Sequence, residues 1–151
     1  MSSRFKQFLR NIARDRKIIF DLDETIWQCT IEYEPNITLN RVRASVNPET
    51  YKILQGFQSN GNSLNIASRS SEPDKCKYYI NNLFPEIKFD NISIYPTPEF
   101  KVSHIQECYN NNTPTDFIMF DDEKNILDNL KYTYPKSLPF HCTKSLHYKM
   151  F

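Results

Sequence analysis

Nothing in the sequence is apolar for long. No run approaches the roughly 20 residues that span a bilayer. The opening stretch MSSRFKQFLRNIARDRK lacks the uninterrupted apolar core of a signal peptide. An excess of one charge is missing as well: Lys plus Arg number 19 against 18 for Asp plus Glu. No global field therefore draws the chain to nucleic acid or to a membrane surface. Cysteines are few and scattered; Cys29, Cys76, Cys108 and Cys142 form no C-x-x-C pair and no Cys/His cluster. That spacing argues against a zinc site and for four reduced thiols, with a disulfide left open. Repeats and low-complexity tracts are absent too. What is there is 151 residues, 39% hydrophobic and 14% aromatic, which suits one globular domain with one core. A soluble, cytoplasmic protein is the default expectation.

Along the chain, strand patterns alternate with helix patterns. KIIFDLD (17–23) reads as a buried strand ending in acids, SLNIAS (63–68) as a second strand, and FDNISIYP (89–96) as a third. DFIMFDD (116–122) is another apolar run ending in acids, and LPFHCT (138–143) a last strand. Between them, Asn47-Pro48-Glu49 opens a helix to about Ser59, with the proline at its first turn. Helices are also expected over 71–84, 100–110 and 123–132. Such alternation predicts an α/β fold, a Rossmann-like parallel sheet with helices on both faces. Ligands of such sheets bind beyond the carboxyl ends of the strands. Residues 1–16 stand apart as a basic amphipathic helix ahead of a single domain over 17–151. Its stripe of Phe5, Phe8, Leu9 and Ile12 is expected to pack on the domain flank, with binding of an anionic partner as the alternative.

The acids at the strand ends carry the chemistry. Asp21 and Asp23 follow one strand and Asp121-Asp122 another. Carboxylates crowded together repel, and burying an unpaired one is costly. If the two strands are neighbours, the acids form a hard oxygen cage suited to Mg2+, which favours a few carboxylates, water and phosphate oxygens. An Asp beside such an ion can act as nucleophile through an acyl phosphate.

At this point the chain resembles the haloacid dehalogenase-like superfamily of phosphohydrolases over about residues 17 to 143. The motifs that carry the resemblance are Asp21-Leu22-Asp23-Glu24-Thr25, Ser68 at the end of LNIAS, Lys101, and IMFDD ending in Asp121-Asp122. It is most similar to the magnesium-dependent phosphatase type, through Thr25-Ile26-Trp27, Ala67-Ser68-Arg69-Ser70-Ser71-Glu72, Ile94-Tyr95-Pro96 and Phe120-Asp121-Asp122-Glu123. The resemblance implies a Mg2+-dependent phosphatase with an aspartyl-phosphate intermediate. Asp21 would attack phosphorus and bind Mg2+. Asp23 would protonate the leaving oxygen and then activate water, its carbonyl also binding the metal. Asp122 would be the third ligand. Asp121 and Thr25 would stand behind the ligands. Leu22, Ser68, Arg69 and Lys101 would hold the phosphate or the substrate.

Several readings stay open. Lys88 is the alternative to Lys101, because Pro98 and Glu99 lengthen the loop before it. Asp122 is an alternative helix cap. Trp27 reads as core or site wall, and His104, one turn after Lys101, as a helix-surface residue. Gln28 to Asn47 leaves no room for a large cap domain, so the site is expected to be open. The substrate would be a phosphorylated small molecule or phosphoprotein, with phosphorylated nucleic-acid ends weakly motivated by the basic helix. The competing function is a catalytically silent domain of the same fold that binds a partner. The tail KSLHYKMF is expected to dock on the domain.

Overall fold

The computed structural model describes residues 2–151. Five strands form one parallel sheet: β1 (Ile18–Phe20), β2 (Leu64–Ser68), β3 (Phe89–Ile94), β4 (Ile118–Asp121) and β5 (Leu138–His141). Their spatial order is β3-β2-β1-β4-β5. The chain builds outward from β1 on one side, then crosses back to place β4 on the other. That reversal opens a crevice beyond the carboxyl ends of β1 and β4. Asp21 and Asp121–Asp122 emerge there.

The helices are α1 (Ser3–Asn11), α2 (Leu39–Ser45), α3 (Pro48–Ser59), α4 (Pro73–Leu83), α5 (Val102–Cys108) and α6 (Lys124–Thr133). Alternation of side chains along each strand sorts them into two layers. Ile18, Phe20, Leu64, Ile66, Ile118 and Phe120 join residues of α1, α3 and α4 in the larger core. Ile19, Ala67 and Met119 meet Ile105, Cys108, Ile126, Leu127 and Leu130 of α5 and α6 on the other face. Both faces are covered, which is why β1 is apolar at every position and buried throughout. Asn47 caps α3 by accepting from the Glu49 amide at 2.9 Å, with Pro48 at the first helical position, as the sequence predicts.

Three elements lack a counterpart in the sequence reading, one of them the 3-10 turn Tyr148–Met150 in the tail. Ile31–Tyr33 forms a 3-10 turn, and α2 follows it. Thr38 caps α2 by accepting from the Arg41 amide at 3.1 Å. This segment lies against α4 and is too small to be a cap domain. All four cysteines are free and buried; burial pushes the Cys76 and Cys142 thiols up to about 12, so both stay protonated.

The N-terminal helix packs into the core rather than lying on it. Phe5 is fully buried, and Phe8 and Leu9 nearly so. Phe5 and Phe8 each place their rings 4.8 Å from Phe151, and Phe5 stands edge-on to Phe57 at 5.3 Å. The C-terminal tail is thus docked as expected, clasped between α1 and α3. Ile12 differs from its expected place in the stripe. It follows the last helical residue and is 40% exposed. Arg4, Lys6 and Arg10 point outward.

Substituting Phe5 by Ala should lower stability by about 3–5 kcal/mol in urea unfolding, the usual cost of emptying a buried aromatic site. Deleting residues 1–15 should lower the melting temperature while leaving the preference among substrates unchanged. Unchanged melting with a lost, salt-sensitive affinity for anions would show instead that α1 serves to recruit a partner.

Candidate active site

The register of the two central strands sets the geometry. Phe20 lies opposite Phe120 in the β1–β4 pairing, so Asp21 and Asp121 leave the sheet side by side. The Asp21 amide extends the ladder by one bond, donating to the Phe120 carbonyl at 2.9 Å. One oxygen from each of Asp21, Asp121 and Asp122 falls within 4.8 Å of the others. Three carboxylates this close cannot all stay charged without a counter-charge.

Lys101 supplies one. Its side chain is buried to 1% exposure, and Nζ donates to Asp21 Oδ1 at 2.9 Å and to Asp121 Oδ2 at 2.7 Å. Burial opposes its charge, but the two carboxylates outweigh burial and raise its pKa. An ammonium has three protons, and Lys101 lines the cleft, so its third proton remains for a ligand. Lys88, the alternative, is an exposed partner of Asp90 at 3.9 Å.

Both oxygens of Asp121 are engaged within the fold. While Oδ2 accepts from Lys101, Oδ1 accepts from the Glu123 amide at 2.9 Å. Burial and the charge of Asp21 raise its pKa, and Lys101 pulls it only part of the way back; both of its oxygens accept, one of them from the lysine. The helix-cap role considered for Asp122 is not taken: Glu123 stands at the N-cap of α6, and no side chain caps that helix among the described residues. Asp122 carries the excess proton instead. Burial, a hydrogen bond shared with Asp21 and the charges of Asp21 and Asp121 push it up to about 9. A divalent cation would take that proton's place. Asp21, Asp121 and Asp122 together present hard oxygen donors of the kind Mg2+ requires.

The carboxylate of Asp23 lies outside this group of three. Its Oδ1 accepts from Trp27 Nε1 at 2.8 Å and from the Ile31 amide at 3.3 Å. Burial raises its pKa to about 6, with the Trp27 bond pulling down and the Asp21 charge pushing up. Such a group can hold a proton and release it near neutrality. Trp27 is thus more than a wall. It fixes the orientation of Asp23, a role that two residues four apart in a loop do not reveal in sequence.

The remaining residues ring a cleft of about 270 Å³. Ser68 Oγ accepts from the Ser70 amide at 3.2 Å, leaving its hydroxyl proton for a ligand. Arg69 Nε donates to the Thr97 carbonyl at 3.1 Å, which steadies the guanidinium at the rim. Leu22 puts its side chain in the core, so only its main chain can meet a phosphate. Thr25 is fully buried, and its Oγ1 has no partner among the described residues. Ser70, Thr30, Glu32 and the exposed Tyr33 also line the cleft. Sequence reasoning missed this rim because the 3-10 turn that brings it in has no strong local pattern. Glu24 lines the cleft with φ 63°, an uncommon conformation for a side-chain-bearing residue.

Residues 15–132 match the family described as acid phosphatase. A comparison with curated proteins yields no relative. Among solved structures, D,D-heptose 1.7-bisphosphate phosphatase from B. bronchiseptica, complexed with magnesium and phosphate, superposes with a TM-score of 0.59 at 12% identity. The match covers 83% of this chain and 79% of that one, and at such identity it speaks for the fold. With its parallel sheet, its paired aspartates at the ends of β1 and β4 and its lack of a large cap, the chain has the haloacid dehalogenase-like fold and belongs to the acid phosphatase family.

Proposed function

We propose that the protein is a Mg2+-dependent phosphohydrolase that cleaves small phosphomonoesters through an aspartyl phosphate on Asp21. The observation that carries this reading is the buried Lys101 bridging Asp21 and Asp121 beside Asp122. A catalytically silent binding domain has no need of a buried cation held between carboxylates that face a cleft. The magnesium and phosphate of the solved relative belong to that protein, and they motivate the same pair here.

The chain's own residues divide the work. Ser68 and the third proton of Lys101 hold phosphoryl oxygens, and Lys101 offsets the charge that develops on them. An Asp21 oxygen attacks phosphorus, and the bond from phosphorus to the leaving oxygen breaks. Asp23, protonated and oriented by Trp27, gives its proton to that oxygen. Now a carboxylate, Asp23 takes a proton from water as the water oxygen attacks the phosphoryl group. The Asp21–phosphorus bond breaks, and phosphate leaves with both aspartates restored. A bound Mg2+, held by Asp21, Asp122 and the Asp23 carbonyl, would neutralise the phosphate and the carboxylates together.

The cleft also favours a class of substrate. At about 270 Å³ it suits a small monophosphate. Glu24, Glu32 and Glu123 line it beside the catalytic acids, with Arg69 the one basic residue besides Lys101. A second phosphate or a nucleic-acid strand would be repelled from such a rim.

Phosphate release from an aryl phosphate should require Mg2+ and stop in EDTA; equal rates in EDTA would contradict the mechanism. Asp21→Asn should abolish turnover, while Asp23→Asn should cost roughly 10²–10⁴-fold in kcat. Near-normal turnover by Asp21→Asn would remove its assigned role. In wild type, kcat/KM should decline as alkali removes the Asp23 proton. Trp27→Phe deletes a bond that lowers the Asp23 pKa, so this alkaline limb should move to higher pH.

Metal linkage gives a separate test. The folded Asp122 pKa, about 9, lies above its ordinary value of 3.8. Between those values the folded metal-free protein binds more protons at this group than the unfolded chain. Its contribution to stability is therefore full at low pH and is lost as pH rises toward 9. Mg2+ replaces the proton, so it should raise the melting temperature more at pH 8 than at pH 6. An equal shift at both would show that Asp122 is no ligand.

A further inference from the structure

Lys101 sits in an awkward place. Its φ is 67°, a left-handed conformation that a long-chain residue keeps only where its surroundings hold it. It directly precedes α5, a helix of only seven residues. Whatever fixes the first turn of α5 fixes the lysine.

His104 lies on that turn. It is fully buried, not on the helix surface as its position after Lys101 suggested. Its ring stacks on Tyr95 at 4.0 Å with the planes 12° apart. Its Nε2 lies 2.9 Å from the Tyr95 carbonyl. A carbonyl can only accept, so the imidazole carries its proton on Nε2. The Tyr95 amide in turn donates to the Ser68 carbonyl at 3.1 Å. A hydrogen-bonded chain thus runs from Ser68, at the end of β2, through Tyr95, just beyond β3, to the helix turn that carries Lys101.

The rest of Tyr95 grips the same helix. Its hydroxyl contacts Ser103 Oγ at 2.9 Å and bonds Glu107, and Glu107 also accepts from Ser93 Oγ at 2.7 Å. Simple packing of α5 would be met by apolar side chains without burying an imidazole. The polar arrangement instead sets a direction and a distance.

We propose that His104 is a positioning residue for Lys101. Its Nε2–H bond to the Tyr95 carbonyl locks the first turn of α5 so that Lys101 Nζ stays between Asp21 and Asp121, at a fixed spacing from Ser68. This inference rests on the catalytic reading of Lys101 given above. Burial and the nearby Lys101 charge both lower the His104 pKa, which keeps the ring neutral, as the single-donor role requires.

Two readouts test it. The first needs no turnover: amine acetylation of the folded protein, followed by mass spectrometry of each lysine. Lys101 should be strongly protected in wild type and in His104→Gln, whose amide can replace the Nε2 donor. In His104→Ala it should label at least about tenfold faster, with Lys88 unchanged. Equal protection of Lys101 in all three proteins would overturn the proposal. The second is a double-mutant cycle in kcat with an aryl phosphate and Mg2+. His104→Ala should lower kcat at least about tenfold and His104→Gln should recover most of it. In a Lys101→Met background, His104→Ala should cost less than about twofold more. Additive losses, or a loss on His104→Ala when Lys101→Met is itself harmless, would show that His104 does not act through the lysine. If wild type hydrolyses no phosphate ester yet the labelling result holds, the positioning stands and the phosphatase reading fails.

Discussion

Crowding of negative charge at one sheet edge is the constraint on which the rest of this structure depends. The pairing of β1 with β4 delivers Asp21, Asp121 and Asp122 to one spot, where the backbone offers Asp121 only the Glu123 amide. Lys101 neutralises part of it from inside the fold. A proton on Asp122 neutralises more. That proton is a provisional solution, because a divalent cation supplies more positive charge and also attracts a phosphate. The crowding is therefore a folding cost that a bound cation would offset.

The same logic explains features that look unrelated. Lys101 holds a left-handed backbone at the point where its side chain meets two carboxylates. Asp121 spends both oxygens on holding the lysine and the start of α6, and so serves as a brace. Asp23 is kept apart by Trp27 and Ile31. That separation places the two aspartates of one loop in different surroundings, Asp21 against Lys101 and Asp23 against Trp27.

Much of this was legible in the sequence. The alternation of strand and helix patterns foretold the parallel sheet, and both acid-terminated runs, Ile18–Asp23 and Ile118–Asp122, sit at adjacent strand ends. Those features are local patterns with one geometric consequence. Other features depend on long-range contacts. His104 is three residues from Lys101 in a helical stretch, and nothing in that spacing shows that the turn faces Tyr95 rather than solvent. The division of labour between Asp121 and Asp122 follows from which carboxylate meets Lys101, twenty residues away. The rim formed by Thr30, Glu32 and Tyr33 depends on a short 3-10 turn. It is anchored by buried Ile31 and by the Ile31 amide bond to Asp23, and such anchoring leaves little mark on the sequence.

The central claim is that, among these crowded carboxylates, Asp21 is the one that becomes phosphorylated. Turnover of an aryl phosphate with Mg2+ can be quenched in acid, and any acyl phosphate reduced with borohydride, which converts a phosphorylated aspartate to homoserine. Peptide mass spectrometry then reads the site. The account predicts homoserine at position 21 and at no other acid. Conversion at Asp121 or Asp122, or none at all under quench conditions that preserve acyl phosphates, would contradict it.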